Sequence, residues 1–462
     1  MESNTHKNFP SKERQLAVDI LYAAFGGRKL DRAFEDTVAV FEKDTKTRIN
    51  QVYNLIYGVA RRHHALAAYI DTKVKKEKLP IKANLILEIG LYELAFNTSS
   101  KSYAVISDAL KLADFLQLPK FKPVINAVLR RFADDLDAGV KGILSQKQLP
   151  AYMFEEIKNT FKDDAPKVMQ NLFEQSPMFL TVNTLLTEPK KLILSLAEQG
   201  ITAVDGKFEV KSSVVGTGPA GTAGTAFAGT ADSAGVVGSF DYIKTTDSKI
   251  FKTPEFEKGM FMVQDLSSQI AVILLKPFEG MNMLDICTAP GGKAIYSAIL
   301  AKDNAKIKAV DISSSRLFRV HENIRRMNVK SIEVVTTDFM EHDFGAERFD
   351  RIFLDPPCSA LGVAARNPDV TWKKSGQVIK DLSAIQFNML SRAMGLLKPG
   401  GRLVYSVCTF TQAETTDVIN KVMTLDKEVE QVIEPFYTIP NTIGMDGLFT
   451  AVFHKICRTN GS

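Results

Sequence analysis

The sequence predicts a multidomain protein: an all-α first third, a small α+β middle and a doubly wound α/β last third. Three observations support this class. Helical periodicity fills the first 145 residues, a weak mixed pattern follows to residue 258, and short apolar runs then alternate with helical stretches. A length of 462 residues suits two or three domains of ordinary size. We therefore expect domains at 1–145, 146–258 and 259–462.

The first third reads as a helical bundle. Apolar residues recur at helical spacing in at least five segments, of which Leu16, Ile20, Leu21 and Phe25 form the first. Breakers such as Gly26-Gly27 and Leu79-Pro80 separate these segments. Almost no strand pattern interrupts them, which predicts short connections between packed helices.

The positive charge is concentrated in this first third. Residues 1–150 hold 24 Lys and Arg against 17 Asp and Glu, whereas the remaining residues hold 34 against 36. Basic pairs lie at Arg61-Arg62 and Arg130-Arg131 on predicted helices. A basic domain beside a near-neutral one suggests a contact for a polyanion such as RNA. The alternative from charge alone is an ordinary solvated helical face.

The middle segment has a mixed pattern. Residues 179–183 are typical of a strand, and residues 190–199 of a helix that ends at Gly200. Residues 212–239 consist almost wholly of Gly, Ala, Thr, Ser and Val, with one charge at Asp232. Such a segment has little large apolar surface to bury, so we expect a flexible insertion there.

Composition excludes several classes of protein. With 45% hydrophobic and 24% charged residues the chain is not disordered as a whole, and no stretch has the roughly 18 consecutive apolar residues of a membrane helix. The polar first fifteen residues predict no signal peptide. Four cysteines without a CxxC pair argue against zinc or a disulfide framework. We expect a monomeric cytoplasmic protein that binds neither membrane nor metal.

The last third has the pattern of a parallel sheet covered on both faces. Apolar runs alternate with helix candidates that start near Ala294, Ser314 and Asp381. The five candidate strands are Met283–Ile286, Ile307–Val310, Ile332–Val335, Arg351–Leu354 and Arg402–Ser406.

Unusual residues follow these strands, where ligands bind in such sheets. Asp311, Asp338 and Asp355 come after strands two, three and four, and Asp311 could accept both hydroxyls of a ribose. The first strand leads into a Gly-rich loop whose residues are Cys287, Thr288, Ala289, Pro290, Gly291, Gly292 and Lys293. The glycines allow close backbone approach to a ligand, and the next helix start offers free amides. The plainer alternative is a set of turn glycines and helix caps.

Two cysteines stand at the ends of strands four and five. Cys358 follows Asp355-Pro356-Pro357, and Cys408 follows the fifth strand, which we expect to be its neighbour in the sheet. A thiolate that adds to carbon 6 of a pyrimidine makes carbon 5 nucleophilic enough to accept a methyl group. A nearby carboxyl group that hydrogen-bonds the ring stabilises the developing charge. Asp355, Cys358 and Cys408 are the residue types that this reaction requires.

Six motifs of the last third belong together. They are Gln264-Asp265-Leu266-Ser267-Ser268-Gln269, the Cys287–Lys293 loop, Asp355-Pro356-Pro357-Cys358-Ser359, Asn367-Pro368-Asp369, Trp372, and Asp446-Gly447-Leu448-Phe449-Thr450-Ala451. These motifs resemble those of the RNA cytosine-5 methyltransferases of the Sun/Fmu (RsmB-type) family. The resemblance covers nearly the whole chain, and the first third looks like the NusB-like RNA-binding domain of the bacterial branch.

The resemblance implies roles for individual residues. The nucleophile falls on Cys408 and the cysteine that assists product release on Cys358, with Lys293 and Asp355 beside them in the catalytic set. From the residues alone Cys358 would be favoured as nucleophile, because DNA cytosine methyltransferases use a Pro-Cys thiol. The residues expected to hold S-adenosylmethionine are the Cys287–Lys293 loop, Asp311, Asp338 and Asp355.

We therefore expect an S-adenosylmethionine-dependent enzyme that methylates carbon 5 of cytosine in RNA, with ribosomal RNA as the substrate that the resemblance favours. One alternative is a NusB-like RNA-binding or assembly protein whose methyltransferase domain is inactive. Against it, both cysteines, Asp355 and Lys293 are present. A small-molecule methyltransferase would have no evident use for the basic helical domain.

Overall fold

The computed structural model describes residues 9–41, 48–74, 79–97, 101–137, 149–172, 174, 176–211, 236–372, 376–425, 428–438 and 443–457. By their contacts the residues divide into two compact units. The helical unit comprises Met1–Phe154 and Ala364–Lys373, and the α/β unit comprises Glu155–Val363 and Lys374–Ser462.

The helical unit confirms the predicted all-α first third. None of the helices in the described ranges combines the length and apolar surface that a bilayer crossing requires. The helices of the helical unit are α1 (Lys12–Phe25), α2 (Leu30–Phe41), α3 (Ile49–Lys73), α4 (Ile81–Phe96), α5 (Ser102–Phe115) and α6 (Lys122–Asp137). The boundary between the two units falls within α7 (Ala151–Phe161).

Helix α4 is the centre of this unit because it is apolar around most of its circumference, and it packs against α1, α3, α5 and α6. A Cβ on Gly90 would lie 2.8 Å from Cδ2 of Leu129, so α6 packs directly against the α4 backbone. The two buried acids of α4 are paired: Glu93 with Arg14 and Glu88 with His63. Pairing offsets the cost of burying their charge.

A short segment from far along the chain, residues 364–372, completes the helical unit. The Trp372 ring stacks on Phe25 with centroids 4.4 Å apart, and its indole N–H donates to the Ala60 carbonyl. Asp369 accepts the Leu30 amide at the start of α2. These residues lie inside the predicted 259–462 domain, yet they pack with the first third, because an exposed Trp gains free energy by burial against Phe25.

The α/β unit contains a four-stranded antiparallel sheet in the order β2-β3-β1-β4. Strand β4 lies beyond the predicted boundary at residue 259 but pairs with β1. Of the predicted insertion, residues 212–235 lie outside the described residues. Residues 236–239 instead begin β3, where Gly238 pairs with Val210. The strands are β1 (Met178–Val182), β2 (Val204–Lys211), β3 (Val236–Thr245) and β4 (Phe261–Val263).

The second sheet has seven strands in the order β10-β11-β9-β8-β5-β6-β7. The five strands from β9 to β7 are parallel, which confirms the predicted doubly wound sheet, and each covers one predicted run. The sequence did not reveal the antiparallel pair β10 and β11, which extends the sheet beyond β9. The strands are β5 (Asn282–Ile286), β6 (Lys306–Asp311), β7 (Ile332–Thr336), β8 (Phe349–Leu354), β9 (Leu397–Val407), β10 (Val429–Thr438) and β11 (Leu448–Lys455).

Helices connect and cover these strands. The helices of this unit after α7 are α8 (Ala165–Asn171), α9 (Pro189–Glu198), α10 (Pro254–Glu257), α11 (Leu266–Leu275), α12 (Gly292–Leu300), α13 (Ser314–Met327), α14 (Gly376–Gly395) and α15 (Thr416–Leu425). Polar residues cap several of these helices: Asp265 caps α11, Ser313 caps α13, and Asn328 ends α13 in a left-handed conformation.

Candidate active site

The order of the large sheet reverses between β5 and β8. From β5 the chain passes outward to β6 and β7, then returns to β8, which pairs with the other side of β5 so that Ile286 and Leu354 are partners. Ligands of open α/β sheets bind at the carboxyl ends of the strands at such a reversal. The loops after β5, β6, β8 and β9 carry most of the predicted site residues, so the fold brings these loops to one edge.

The loop after β5 is held close to β6 and α13. Its backbone is left-handed at Cys287, with φ of 62°, and at Gly291, with φ of 95°. The Thr288 amide donates to the Val310 carbonyl at 3.1 Å. A Cβ on Gly291 would lie 2.9 Å from Cγ1 of Val320, so a larger residue would displace α13. Gly291 is therefore required by both its conformation and its packing.

Asp285 provides a buried hydrogen-bond acceptor at the end of β5. Its Oδ2 accepts the Thr288 hydroxyl, whereas no donor in the described residues reaches its buried Oδ1. Burial raises the pKa of Asp285 to about 7, although the Thr288 hydrogen bond and the Lys293 charge act in the opposite direction. A buried acceptor without a partner is costly, so this edge of the sheet suits a ligand that brings a donor.

Asp311 links the end of β6 to the loop after β5. Its carboxylate accepts the Ser313 amide at 3.0 Å and the Ala289 amide at 3.3 Å, and it pairs with Arg316 at 3.0 Å. The Asp311 side chain is buried while Arg316 is half exposed. The sequence interpretation missed Arg316, although a basic residue one turn into the helix after an acidic strand end was a usable signal.

Asp338 is less closely connected. Its side chain is half buried, and its Oδ1 accepts the Met340 amide at 2.8 Å. Its carbonyl accepts the His342 amide at 2.9 Å. These bonds stabilise the turn after β7, and among the described contacts none joins Asp338 to the other predicted residues.

Lys293 and Asp355 form an ion pair that joins α12 to the end of β8. Lys293 Nζ lies 2.6 Å from Asp355 Oδ2, and the two side chains keep only 20% and 28% of their accessible surface. Burial lowers the pKa of Lys293, but the charge and hydrogen bond of Asp355 outweigh this, and the pKa is raised overall. Lys293 therefore remains a cation at neutral pH.

The two predicted thiols are in direct contact. Cys358 Sγ lies 3.3 Å from Cys408 Sγ, and both side chains are half buried. The expectation that their strands are neighbours is confirmed, because β8 and β9 pair in parallel. The hydrogen bond with Cys358 and burial raise the pKa of Cys408 well above the usual range of a thiol, while the Lys293 charge lowers it. Deprotonation of Cys408 therefore depends on Cys358 and Lys293.

The other two cysteines differ from this pair. Burial, and the nearby carboxylates of Asp355 and Asp311, raise the pKa of Cys287 to about 12, so it remains protonated at neutral pH. Cys457 is exposed near the end of the chain. In the described ranges no group of three or more His, Cys, Asp or Glu side chains is placed to hold a metal ion.

One buried residue beside the thiols was not predicted as part of the site. Glu414, in the short helix after β9, accepts hydrogen bonds from Ser359, which follows Cys358. Its carboxylate also accepts bonds from Thr411 and Gln386. The sequence shows an acid six residues after Cys408 but not that it is buried, because its donors come from three separate segments.

The sequence matches two families. Residues 272–454 match the family described as 16S rRNA methyltransferase RsmB/F, and residues 11–134 match the NusB family. Curated relatives named ribosomal RNA small subunit methyltransferase B include one from Erwinia tasmaniensis, 30% identical over 87% of this chain and 89% of its own. Another, from Shewanella oneidensis, is 30% identical over 86% and 88%.

Solved structures share the fold. The crystal structure of PH0851 is similar over 97% of this chain and 100% of its own, with a TM-score of 0.73 and 20% identity. The structure of NSun6 from Pyrococcus horikoshii with SFG covers 67% of this chain and 98% of its own, with a TM-score of 0.53 and 23% identity. At these identities the likeness establishes the architecture.

Removal of Cys358 should make Cys408 more acidic. In a Cys358→Ala variant Cys408 no longer has the hydrogen bond that contributes most to its raised pKa, so its thiolate fraction should increase, about tenfold for each unit by which the pKa falls. The rate of Cys408 alkylation by iodoacetamide between pH 7 and 9, read by peptide mass spectrometry, measures this. Cys457→Ala is the control, and an unchanged pH profile in Cys358→Ala would contradict the expectation.

Proposed function

Since the chain belongs to the RsmB family of S-adenosylmethionine-dependent ribosomal RNA methyltransferases, we propose that it methylates carbon 5 of a cytosine through a covalent bond to Cys408. The observation that carries the proposal is the pair of thiols, 3.3 Å apart at the ends of β8 and β9. A transferase that needed no covalent intermediate would have no evident use for two thiols there. We also propose a cytoplasmic location, because ribosomal RNA is the substrate class.

The edge of the sheet fits S-adenosylmethionine. We propose that the cofactor is held by the residues from Cys287 to Lys293 together with Asp311, Asp338 and Asp355. The unpartnered Oδ1 of Asp285 supports this, since it leaves an acceptor at the ligand edge, and Gly291 keeps the loop packed against α13. When bound, the cofactor supplies an electrophilic methyl group to carbon 5.

The protein residues prepare the pyrimidine. Cys408 must first lose its proton, which the Lys293 ammonium favours. Its sulfur then forms a bond to carbon 6, and the electron pair of the carbon 5–carbon 6 double bond moves towards carbon 5 and the ring. Asp355, held by Lys293, provides the polar group that hydrogen-bonds the ring. After methylation, a base takes the proton from carbon 5, and the electron pair of that bond re-forms the double bond to carbon 6. The bond from carbon 6 to Cys408 then breaks with its electron pair returning to the sulfur, and Cys358 assists this release.

The helical unit is proposed as the RNA-binding part. The structure distinguishes its two basic pairs. Arg130 and Arg131 are exposed on α6, whereas Arg61 and Arg62 are half buried and lie over the rings of Tyr57 and Phe96. Phosphate contact requires accessible cations, so the pair on α6 is the better candidate.

Asp311 should contribute to cofactor affinity. We expect Asp311→Ala to weaken S-adenosylmethionine binding by about 1–3 kcal/mol, because ligand donors and the Ala289 amide would lose their acceptor. Isothermal titration calorimetry measures this. Asp303→Ala is a matched control, since Asp303 also accepts backbone amides but precedes β6. Equal affinities for Asp311→Ala and wild type would remove Asp311 from the binding site.

The two thiols should differ in covalent chemistry. Cys408→Ala should give no methyl transfer and no protein–RNA conjugate, because no carbon 6 bond can form. Cys358→Ala should form the bond and methylate but accumulate the conjugate, because release is impaired. A denaturing gel with radiolabelled RNA detects the protein–RNA conjugate in both variants. Bisulfite sequencing of RNA from cells with and without the gene locates the methylated cytosine.

The reverse pattern, a conjugate with Cys408→Ala alone, would make Cys358 the nucleophile. If wild type gave neither conjugate nor methylated RNA, the result would favour an RNA-binding or assembly protein with an inactive methyltransferase domain. Unstacked cytosines in loops should be the better substrates, since a stacked base cannot reach a thiol.

RNA affinity should depend on the exposed pair of α6. The double variant Arg130→Ala/Arg131→Ala should bind RNA more weakly, and its log affinity against log salt should have a slope shallower by about one for each phosphate that is no longer neutralised. Fluorescence anisotropy across a salt series measures the slope. Lys190→Ala/Lys191→Ala removes the same charge from exposed positions on α9. An equal loss of affinity in both variants would indicate a general charge effect and contradict a specific role for α6.

A further inference from the structure

Glu414 is a fully buried carboxylate close to the two thiols. It ends the short helix Gln412–Glu414 that follows β9, and none of its side chain is exposed. In the part of the chain that the structure describes, no Lys, Arg or His forms an ion pair with it. A buried charge without a cation is costly unless several hydrogen-bond donors surround it. The Glu414 side chain therefore needs several hydrogen-bond donors from its neighbours.

Donors from three segments meet this requirement. Oε1 accepts the Ser359 amide at 2.8 Å and the Gln386 side chain at 3.0 Å. Oε2 accepts the Ser359 hydroxyl at 2.5 Å and the Thr411 hydroxyl at 2.8 Å, with the Thr409 hydroxyl further away at 3.4 Å. The segments are the loop after β8, the segment after β9 and helix α14.

Two of these donors immediately follow the two thiols. Ser359 is next to Cys358 and Thr409 is next to Cys408, and their hydroxyl oxygens lie 2.7 Å apart. Gln386 also donates to the carbonyl of Pro357, on the other side of Cys358, at 2.9 Å. A single carboxylate thus connects the backbone around both cysteines.

We infer that Glu414 is a positioning residue that fixes the loops bearing Cys358 and Cys408 and thereby the separation of the two thiols. Strand pairing aligns β8 with β9 only as far as Leu354 and Tyr405. Beyond those residues one backbone bond, from the Gly362 amide to the Cys408 carbonyl at 3.0 Å, joins the two loops, and the bonds to Glu414 add the side-chain links between them. The effect of Glu414 on the separation of the thiols does not depend on the proposed function, whereas its effect on methyl transfer rests on that function.

The negative charge, rather than the volume, should be what matters. A Glu414→Gln change keeps the shape but replaces one acceptor oxygen with an NH₂ donor. With the amide oxygen at the position of Oε1, the bonds from the Ser359 amide and Gln386 would persist but would no longer be charge-assisted. The Ser359 and Thr411 hydroxyls would have to turn and accept from the NH₂ group, so the attachment of the loop after β8 would be weaker.

Cross-linking of the two thiols measures their separation directly. The full-length protein is treated with a short bifunctional thiol reagent, and the rate of Cys358–Cys408 cross-linking is read by peptide mass spectrometry. We expect Glu414→Gln to slow this reaction relative to wild type, because the loops are then held by weaker bonds. Glu255→Gln is the matched control, because Glu255 is also buried and accepts bonds from Ser195 and Gln199, but on α10 beside the smaller sheet. It should cross-link at the wild-type rate.

A second variant covers the case in which Glu414→Gln does not fold. Thr411→Val is nearly isosteric and removes one donor without changing a residue next to either cysteine. It should slow the cross-link to a smaller extent, with thermal unfolding confirming that the protein is folded. Wild-type rates in folded Thr411→Val and folded Glu414→Gln would overturn the inference.

Steady-state kinetics extends the inference to the reaction. Displacement of reacting groups by about 1 Å can cost on the order of 100-fold in rate, so Glu414→Gln should lower kcat by about that factor with little change in KM for RNA. Equal losses of kcat in Glu414→Gln and Glu255→Gln would indicate general destabilisation and overturn the positioning role. If wild type methylated no RNA while Glu414→Gln still slowed the cross-link, the proposed function would fail and the positioning role would stand.

Discussion

The site depends on the parallel pairing of β8 with β5 on one side and β9 on the other. Ile286, Leu354 and Tyr405 stand in one row across these strands, and all three are buried. A shift of register would move their side chains to the opposite face of the sheet, which is strongly unfavourable when both faces are covered. This row of paired residues therefore fixes the point at which each strand ends and its loop leaves the sheet. Asp355 and both cysteines follow at set distances from it.

This constraint explains why the sequence reveals so much of the site. Short apolar runs that alternate with helices indicate a parallel sheet, and a parallel sheet places the residue after each strand at one edge. That Cys358 and Cys408 lie close together could be predicted on that basis, without any knowledge of side-chain contacts. The same logic applies to Lys293 and Asp311, whereas Asp285 was not predicted as part of the site. The logic says less about Asp338, whose hydrogen bonds serve its own turn.

The features that the sequence did not reveal all depend on partners distant along the chain. Strand β11 pairs with its neighbour in sequence, β10, but it joins the sheet through β9, about fifty residues earlier. Trp372 packs on Phe25, and Asp369 caps α2, although both belong by sequence to the last third. Glu414 is surrounded by Ser, Thr and Gln, which are ordinary surface residues in most proteins. Local pattern cannot show that a charged residue is buried, because burial is a property of the assembled sheet.

The chemistry of the two thiols cannot be separated from the polar groups that surround them. Cys358 raises the pKa of Cys408 while Lys293 lowers it, and Lys293 is itself held by Asp355. A nucleophile in this position is thus kept protonated by the neighbour proposed to act in release, and is deprotonated most easily when the lysine is close. Among the described residues, only neutral donors bind the Glu414 carboxylate. Glu414 therefore holds the loops that bear the two thiols without placing a second cation beside them. An arginine or lysine beside the thiols would bind the same loops but would also stabilise both thiolates. Neutral donors around one buried acid therefore allow the loops to be held firmly while Lys293 remains the cation that favours the Cys408 thiolate.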